Sequence, residues 1–193
     1  MWEIINLKVK IWIMVIPALA LFLMYTVCFG QDFFRATSST VSTLAILAWF
    51  FGKYAWRCFY IDLMKKHICP DFNGRWMGKI SSNYAGGTEV SFPIEIEADF
   101  FKIRMKANTT VGRTYADYCR VVRTQDDRFE LTYVFEGHNK TQTGTDTAYY
   151  DGAAKVTVDD INTMKMSGLF WTNRCWNQNK NTAGRIDFEK IVD

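Results

Sequence analysis

Two periodicities divide the chain. From Ile11 to Phe29 the run IWIMVIPALALFLMYTVCF holds about nineteen residues without a charge, long enough to cross a hydrocarbon core as a helix. Its flank CFGQDFFRA lacks the small-residue cleavage site of a signal peptide. A second apolar stretch, ATSSTVSTLAILAWFFGKYAW, follows from Ala36 to Trp56. The intervening Gly30-Gln31-Asp32 is short enough to predict an antiparallel helical hairpin, with spans at about 11–29 and 36–56. The second span carries Ser38, Ser39, Thr40, Ser42 and Thr43, residue types that let membrane helices approach and hydrogen-bond.

Past Pro70 the helical period stops, and short alternating runs take over, separated by Gly, Asn and Asp. They predict strands near Arg75–Ser82, Glu89–Ala98, Phe101–Ala107, Arg113–Arg123, Phe129–Gly137, Thr147–Val156, Thr163–Trp171 and Arg185–Val192. Phe92, Ile94 and Ile96 oppose Glu95 and Glu97, and Phe101, Ile103 and Met105 oppose Lys102, Arg104 and Lys106. One face is therefore dry and the other wet. Phe129, Leu131, Tyr133 and Phe135 continue the dry face. Eight such strands favour a closed antiparallel barrel, because closure leaves no exposed edge and the interior holds one small ligand. The predicted fold is mainly β: a two-helix hairpin over residues 1–66, then a compact eight-stranded barrel over residues 67–193 that builds its own core without the hairpin.

Charge refines this division. Up to Asp71 the bases Lys8, Lys10, Arg35, Lys53, Arg57, Lys65 and Lys66 outnumber the acids Glu3, Asp32, Asp62 and Asp71, which accounts for the whole net charge of +3. The remainder is balanced, so no global field advertises a DNA- or RNA-binding surface. Basic residues flank both outer ends of the hairpin, which predicts a cytoplasmic N-terminus and a cytoplasmic barrel. Trp49, Phe50, Phe51, Tyr54 and Trp56 fall at the interfacial level, where aromatic rings collect.

Catalytic and metal signals are poor. The five cysteines have no CxxC spacing, and His67 and His138 stand apart from any Cys or His at ligand spacing. A reducing compartment fits, and no metal or cofactor is expected. Asp126-Asp127 and Asp159-Asp160 sit in polar turns without a base partner. No GxSxG, HExxH or P-loop occurs. The chain reads as a non-enzyme.

Gly74-Arg75-Trp76 at the start of the first strand resembles the opening of lipocalin-type barrels, where the indole closes one end. That likeness implies that Arg185, late in the chain, stacks on Trp76 as a structural closure. The two closely spaced helices followed by a minimal eight-stranded barrel resemble, over nearly the whole chain, a bacterial family. These are the SMODS-associated two-transmembrane, β-strand-rich effectors of CBASS anti-phage signalling. The resemblance implies an inner-membrane protein whose barrel binds a cyclic dinucleotide made by a nucleotidyltransferase on infection, after which the helices assemble and the membrane is disrupted. It carries over an architecture and no site residues.

Those residues follow from chemistry. Two phosphates and two flat bases require guanidinium forks, stacking rings and amide or hydroxyl groups. The segment GRTYADYCRVVR supplies Arg113, Tyr115 and Arg120; FWTNRCW supplies Trp171, Asn173 and Arg174; Tyr149 and its neighbour Tyr150 add rings. Strict alternation puts Arg113, Tyr115 and Arg123 on one face and Tyr118 with Arg120 on the other. The alternative reading is a membrane-tethered carrier of an apolar small molecule, which predicts an interior without arginine.

Overall fold

The computed structural model describes residues 2–56, 60, 68–83, 88–109, 112–140 and 147–191. Helix α1, Leu7–Leu23, starts at Asn6, whose Oδ1 accepts from Lys8 N at 3.0 Å, and runs on through Pro17 into a π-turn at Met24–Cys28. Helix α2, Phe33–Phe50, starts at Asp32, which accepts from Arg35 N at 2.9 Å, and ends in a second π-turn at Phe51–Ala55. The helices pack on each other through buried Ala36 and Thr40, and the Tyr25 hydroxyl bonds Thr43 Oγ1 at 2.8 Å. Most apolar side chains of the hairpin point outward: Trp12, Ile16, Leu19, Val27 and Ile46 are all exposed. Among the described residues one helix, Leu7–Cys28, is long and apolar enough to cross a membrane; the second span expected over residues 36–56 does not reach that level, because hydroxyl residues make α2 less apolar. Arg57, Lys65 and Lys66, on which the orientation argument leans, and the expected boundary between residues 66 and 67 lie outside the described residues.

Eight strands form a closed antiparallel barrel: β1 Gly74–Ser82, β2 Thr88–Ala98, β3 Ile103–Asn108, β4 Gly112–Arg123, β5 Phe129–Asn139, β6 Tyr149–Asp160, β7 Lys165–Thr172 and β8 Ala183–Lys190. Each pairs with the next, and β8 closes on β1. The expected dry face is the inner one: Ile94, Ile96, Ile103, Met105, Leu131 and Tyr133 are buried. Phe101 departs from it. Asp99 accepts from both Phe101 N and Lys102 N at 2.7 Å, so the chain turns there and β3 begins two residues later.

One end of the barrel is plugged. Trp76, Phe72, Phe129, Leu131, Met166 and Phe188 fill it, and Trp76 Nε1 donates to Phe72 O at 2.8 Å. The expected stack of Arg185 on Trp76 does not form. Closure pairs Trp76 with Lys190 and Ser81 with Arg185, which places Arg185 far along the strand, exposed and bonded to Asp187 at 2.9 Å. Lys190 takes the position instead, with Nζ 5.7 Å from the indole centroid. The cation is thus retained and supplied by another residue.

The hairpin docks on this plugged end. Phe100 N donates to Gly52 O at 3.1 Å, and Trp2 N donates to Phe100 O at 3.0 Å. Gly52 admits the Phe101 ring so closely that a Cβ there would lie 1.9 Å from a ring carbon. Trp56 is 1% exposed and belongs to the barrel's hydrophobic cluster, against which Trp2, Ile4 and Ile5 also pack. The barrel core is therefore not self-contained as expected: residues before β1 finish it.

Candidate functional site

At the end of the barrel opposite the hairpin, the inward positions change character. The same parity that buries Trp76 and Gly78 and half-buries Ile80 on β1 brings Ser82 inward at its end, and on β7 the step after Phe170 is Thr172. Around this end lies a cavity of about 240 Å³. Its floor is apolar, with Ile94, Met105, Phe170 and Ile186, while Ser82, Thr114, Asn139, Thr172, Thr182 and Arg174 border the mouth. Thr172 and Thr182 are buried, and their hydroxyls bond each other at 2.7 Å. Asn139 Nδ2 donates to Thr147 O at 2.6 Å, which holds that amide at the rim.

Rings and a guanidinium stand beside these hydroxyls. Arg174 Cζ lies 5.3 Å from the centroid of Tyr150. Tyr150 reaches across because its neighbour on β5 is Gly137, where a Cβ would sit 2.3 Å from the phenol ring; Phe135 occupies the matching space over Gly152. Below them burial raises the pKa of the Tyr133 phenol, and the partly buried Cys119 thiol is pushed up to about 12. Both stay neutral at physiological pH and offer no nucleophile. Among the described residues, no group of three or more His, Cys, Asp or Glu is placed to hold a metal ion.

Of the residues singled out from the sequence, Arg174 and Tyr150 border this cavity. Arg113, Tyr115 and Arg120 are exposed on the outer face of β4. The predicted separation of Tyr115 from Arg120 fails because a bulge between Tyr115 and Tyr118 shifts the register, turning Tyr118 and Arg120 to the same outer side. Tyr149 is exposed and stacks on His138 at 4.7 Å, and Trp171 is half-exposed on the outside of β7. Asn173 accepts from Asp151 N at 2.7 Å, stapling two strand ends. The residues that sequence reasoning missed are the hydroxyls Thr114, Thr172 and Thr182; carrying the inward parity to the strand ends finds all three.

A closed barrel with an apolar floor, a polar mouth and a guanidinium beside a ring, preceded by a two-helix hairpin whose first helix is apolar enough to cross a membrane, has the build of a small-molecule receptor. The chain belongs to the family of the Cap15 cyclic dinucleotide receptor domain, whose profile matches residues 67–190. It is also 55% identical over 192 residues to CD-NTase-associated protein 15 of Escherichia albertii, covering 100% of this chain and 99% of that protein. The resemblance to CBASS effectors drawn from the architecture is thereby shown, and a receptor domain marks a sensor more than an enzyme.

Proposed function

We propose that the polar mouth of the barrel binds a cyclic dinucleotide and that binding drives assembly of the hairpins and disruption of a bacterial inner membrane. The observation that carries the reading is Arg174 beside Tyr150 at the rim of a cavity bordered by buried hydroxyls. A guanidinium forks to a phosphate, a phenol ring stacks on a base, and hydroxyls and an amide read base edges. An apolar carrier would have no use for an arginine at the cavity.

The site and the hairpin occupy opposite ends, and β3 joins them. Its Met105, Ala107 and the following Thr109 line the cavity, while the turn before it, Asp99–Lys102, bears on Gly52. A two-helix hairpin is too small to enclose a pore, so damage requires many copies. The ligand must bind the assembly-competent form more tightly than the resting one, since equal affinity shifts nothing.

The test uses full-length protein in dye-loaded vesicles. A 3′,3′-cyclic dinucleotide should cause leakage together with crosslinked oligomers, and leakage by a protein that stays monomeric contradicts assembly. Cytoplasmic placement of the barrel is tested in cells: a cysteine at Gln31 should react with an impermeant thiol reagent from the periplasmic side and one at Asn83 should not. The reverse pattern contradicts it.

A further inference from the structure

A second cleft, of about 540 Å³, lies between the end of α2 and the barrel, lined by Lys53, Tyr54 and Trp56 of the hairpin end and by Asn73, Glu97, Asp99, Lys102 and Arg104 of the barrel side. It lies at the other end of the barrel from the ligand cavity, where the hairpin meets the barrel. Three cations and two acids line it, yet the acids are already engaged. Glu97 is bonded to Lys106 at 2.5 Å, and Asp99 Oδ1 is taken by two backbone N–H groups. The nearest acid to the cationic pair is Asp117, 81% exposed, with contacts of 3.6 Å to Lys102 and 3.5 Å to Arg104, both too long to be good hydrogen bonds.

Lys53 adds a charge from the helix side. Its Nζ lies 5.7 Å from the Trp49 centroid and 5.3 Å from the Tyr54 centroid. Those rings occupy the level at which a spanning helix enters the headgroup layer, where aromatic belts and basic side chains meet lipid phosphates. Three cations drawn from two separate parts of the fold line a cleft at that level, with Glu97 and Asp99 committed elsewhere and Asp117 reaching Lys102 and Arg104 only through long, exposed contacts, and together they match one compact anion.

We propose that this cleft is a phospholipid headgroup site in which Arg104, Lys102 and Lys53 hold the phosphodiester, with Tyr54 and Trp56 lining the helix side. The inference rests on the reading that the hairpin lies in a membrane. Occupancy ties the Asp99–Lys102 turn to the bilayer surface and thereby sets the height at which the barrel stands.

The test compares full-length wild-type protein with the double variant Lys53→Gln, Arg104→Gln, both positions solvent-accessible. Each is reconstituted in phosphatidylcholine vesicles containing phosphatidylglycerol, floated, extracted in mild detergent and weighed intact. Wild-type protein should retain phosphatidylglycerol, and the double variant should float equally while losing about tenfold or more of that retention, as expected when charge-assisted bonds are removed. Equal retention in both overturns the headgroup site and leaves the membrane reading standing. Failure of wild-type protein to float overturns both. Competition of the retained lipid by inorganic phosphate at equal concentration assigns the cleft to a free anion and overturns the lipid source.

Discussion

At the end of the barrel beside the hairpin, the inward positions are Trp76, Phe129, Leu131, Val156 and Phe188, each no more than 2% exposed. At the far end the same parity presents Ser82, Thr114, Thr172 and Thr182 around an open cavity, with Arg174 at its edge. One alternation therefore builds a plug and an open polar mouth, and the difference lies in what occupies the last inward position of each strand. A plug of rings excludes water and fixes closure. Hydroxyls and a guanidinium keep the opposite end receptive to a charged ligand. The hairpin attaches to the plug, so in the proposed function the rigid end would transmit and the polar end would sense.

The largest expected effect breaks the plug. Trp76→Ala removes a fully buried ring and its bond to Phe72 O, and should cost about 3–5 kcal/mol by denaturant unfolding. A mouth substitution such as Thr114→Val should cost under about 1.5 kcal/mol, at most the net worth of one hydrogen bond, and equal losses at the two ends would erase the contrast. Next, Gly52→Leu drives a side chain into Phe101. It should leave cyclic dinucleotide affinity within about twofold, a shift of roughly 0.4 kcal/mol, while abolishing vesicle leakage. Leakage at wild-type levels would show that the docked turn is not the link. A smaller effect separates two cations: Lys190→Met should destabilise by about 1 kcal/mol, through the lost cation–π contact and the 2.8 Å bond to Asp71 O, whereas Arg185→Ala should stay within about 0.5 kcal/mol.

The smallest effect at neutral pH belongs to the buried thiols. Burial pushes Cys69 and Cys119 up to about 12, so the unfolded chain, with ordinary thiols, releases these protons first. Their contribution is intact below the unfolded value, near pH 9, and is lost as pH rises toward about 12. Alkaline denaturation should therefore flatten in Cys119→Ala. An unchanged slope would contradict burial of that thiol.

Much of the plug was legible in the sequence and little of the site. Ile96, Phe129 and Leu131 announce themselves because an apolar residue at every second position has one physical reading. The hairpin announces itself through a charge-free run that water does not tolerate. Arginine and aromatic density, by contrast, led to the outer face of β4, because the bulge at Tyr115–Tyr118 inserts one residue and reverses the parity beyond it. The partner of Trp76 depends on the register of closure, which brings Lys190 beside it across the first and last strands. Thr172 and Thr182 carry no motif, and only the parity of Phe170 and Ile186, followed to the strand ends, points them inward.

The central claim is that the ligand sits in the mouth and not on the arginine-bearing outer face. Titration calorimetry of a 3′,3′-cyclic dinucleotide into the full-length protein tests it with Arg174→Ala, Arg113→Ala and Arg120→Ala compared side by side. Loss of a charge-assisted bond at Arg174 should weaken binding by about 1.5–3 kcal/mol, ten- to a hundredfold, while the two outer-face variants bind as the parent does. Unchanged affinity in Arg174→Ala with loss in Arg113→Ala or Arg120→Ala would contradict the mouth as the site.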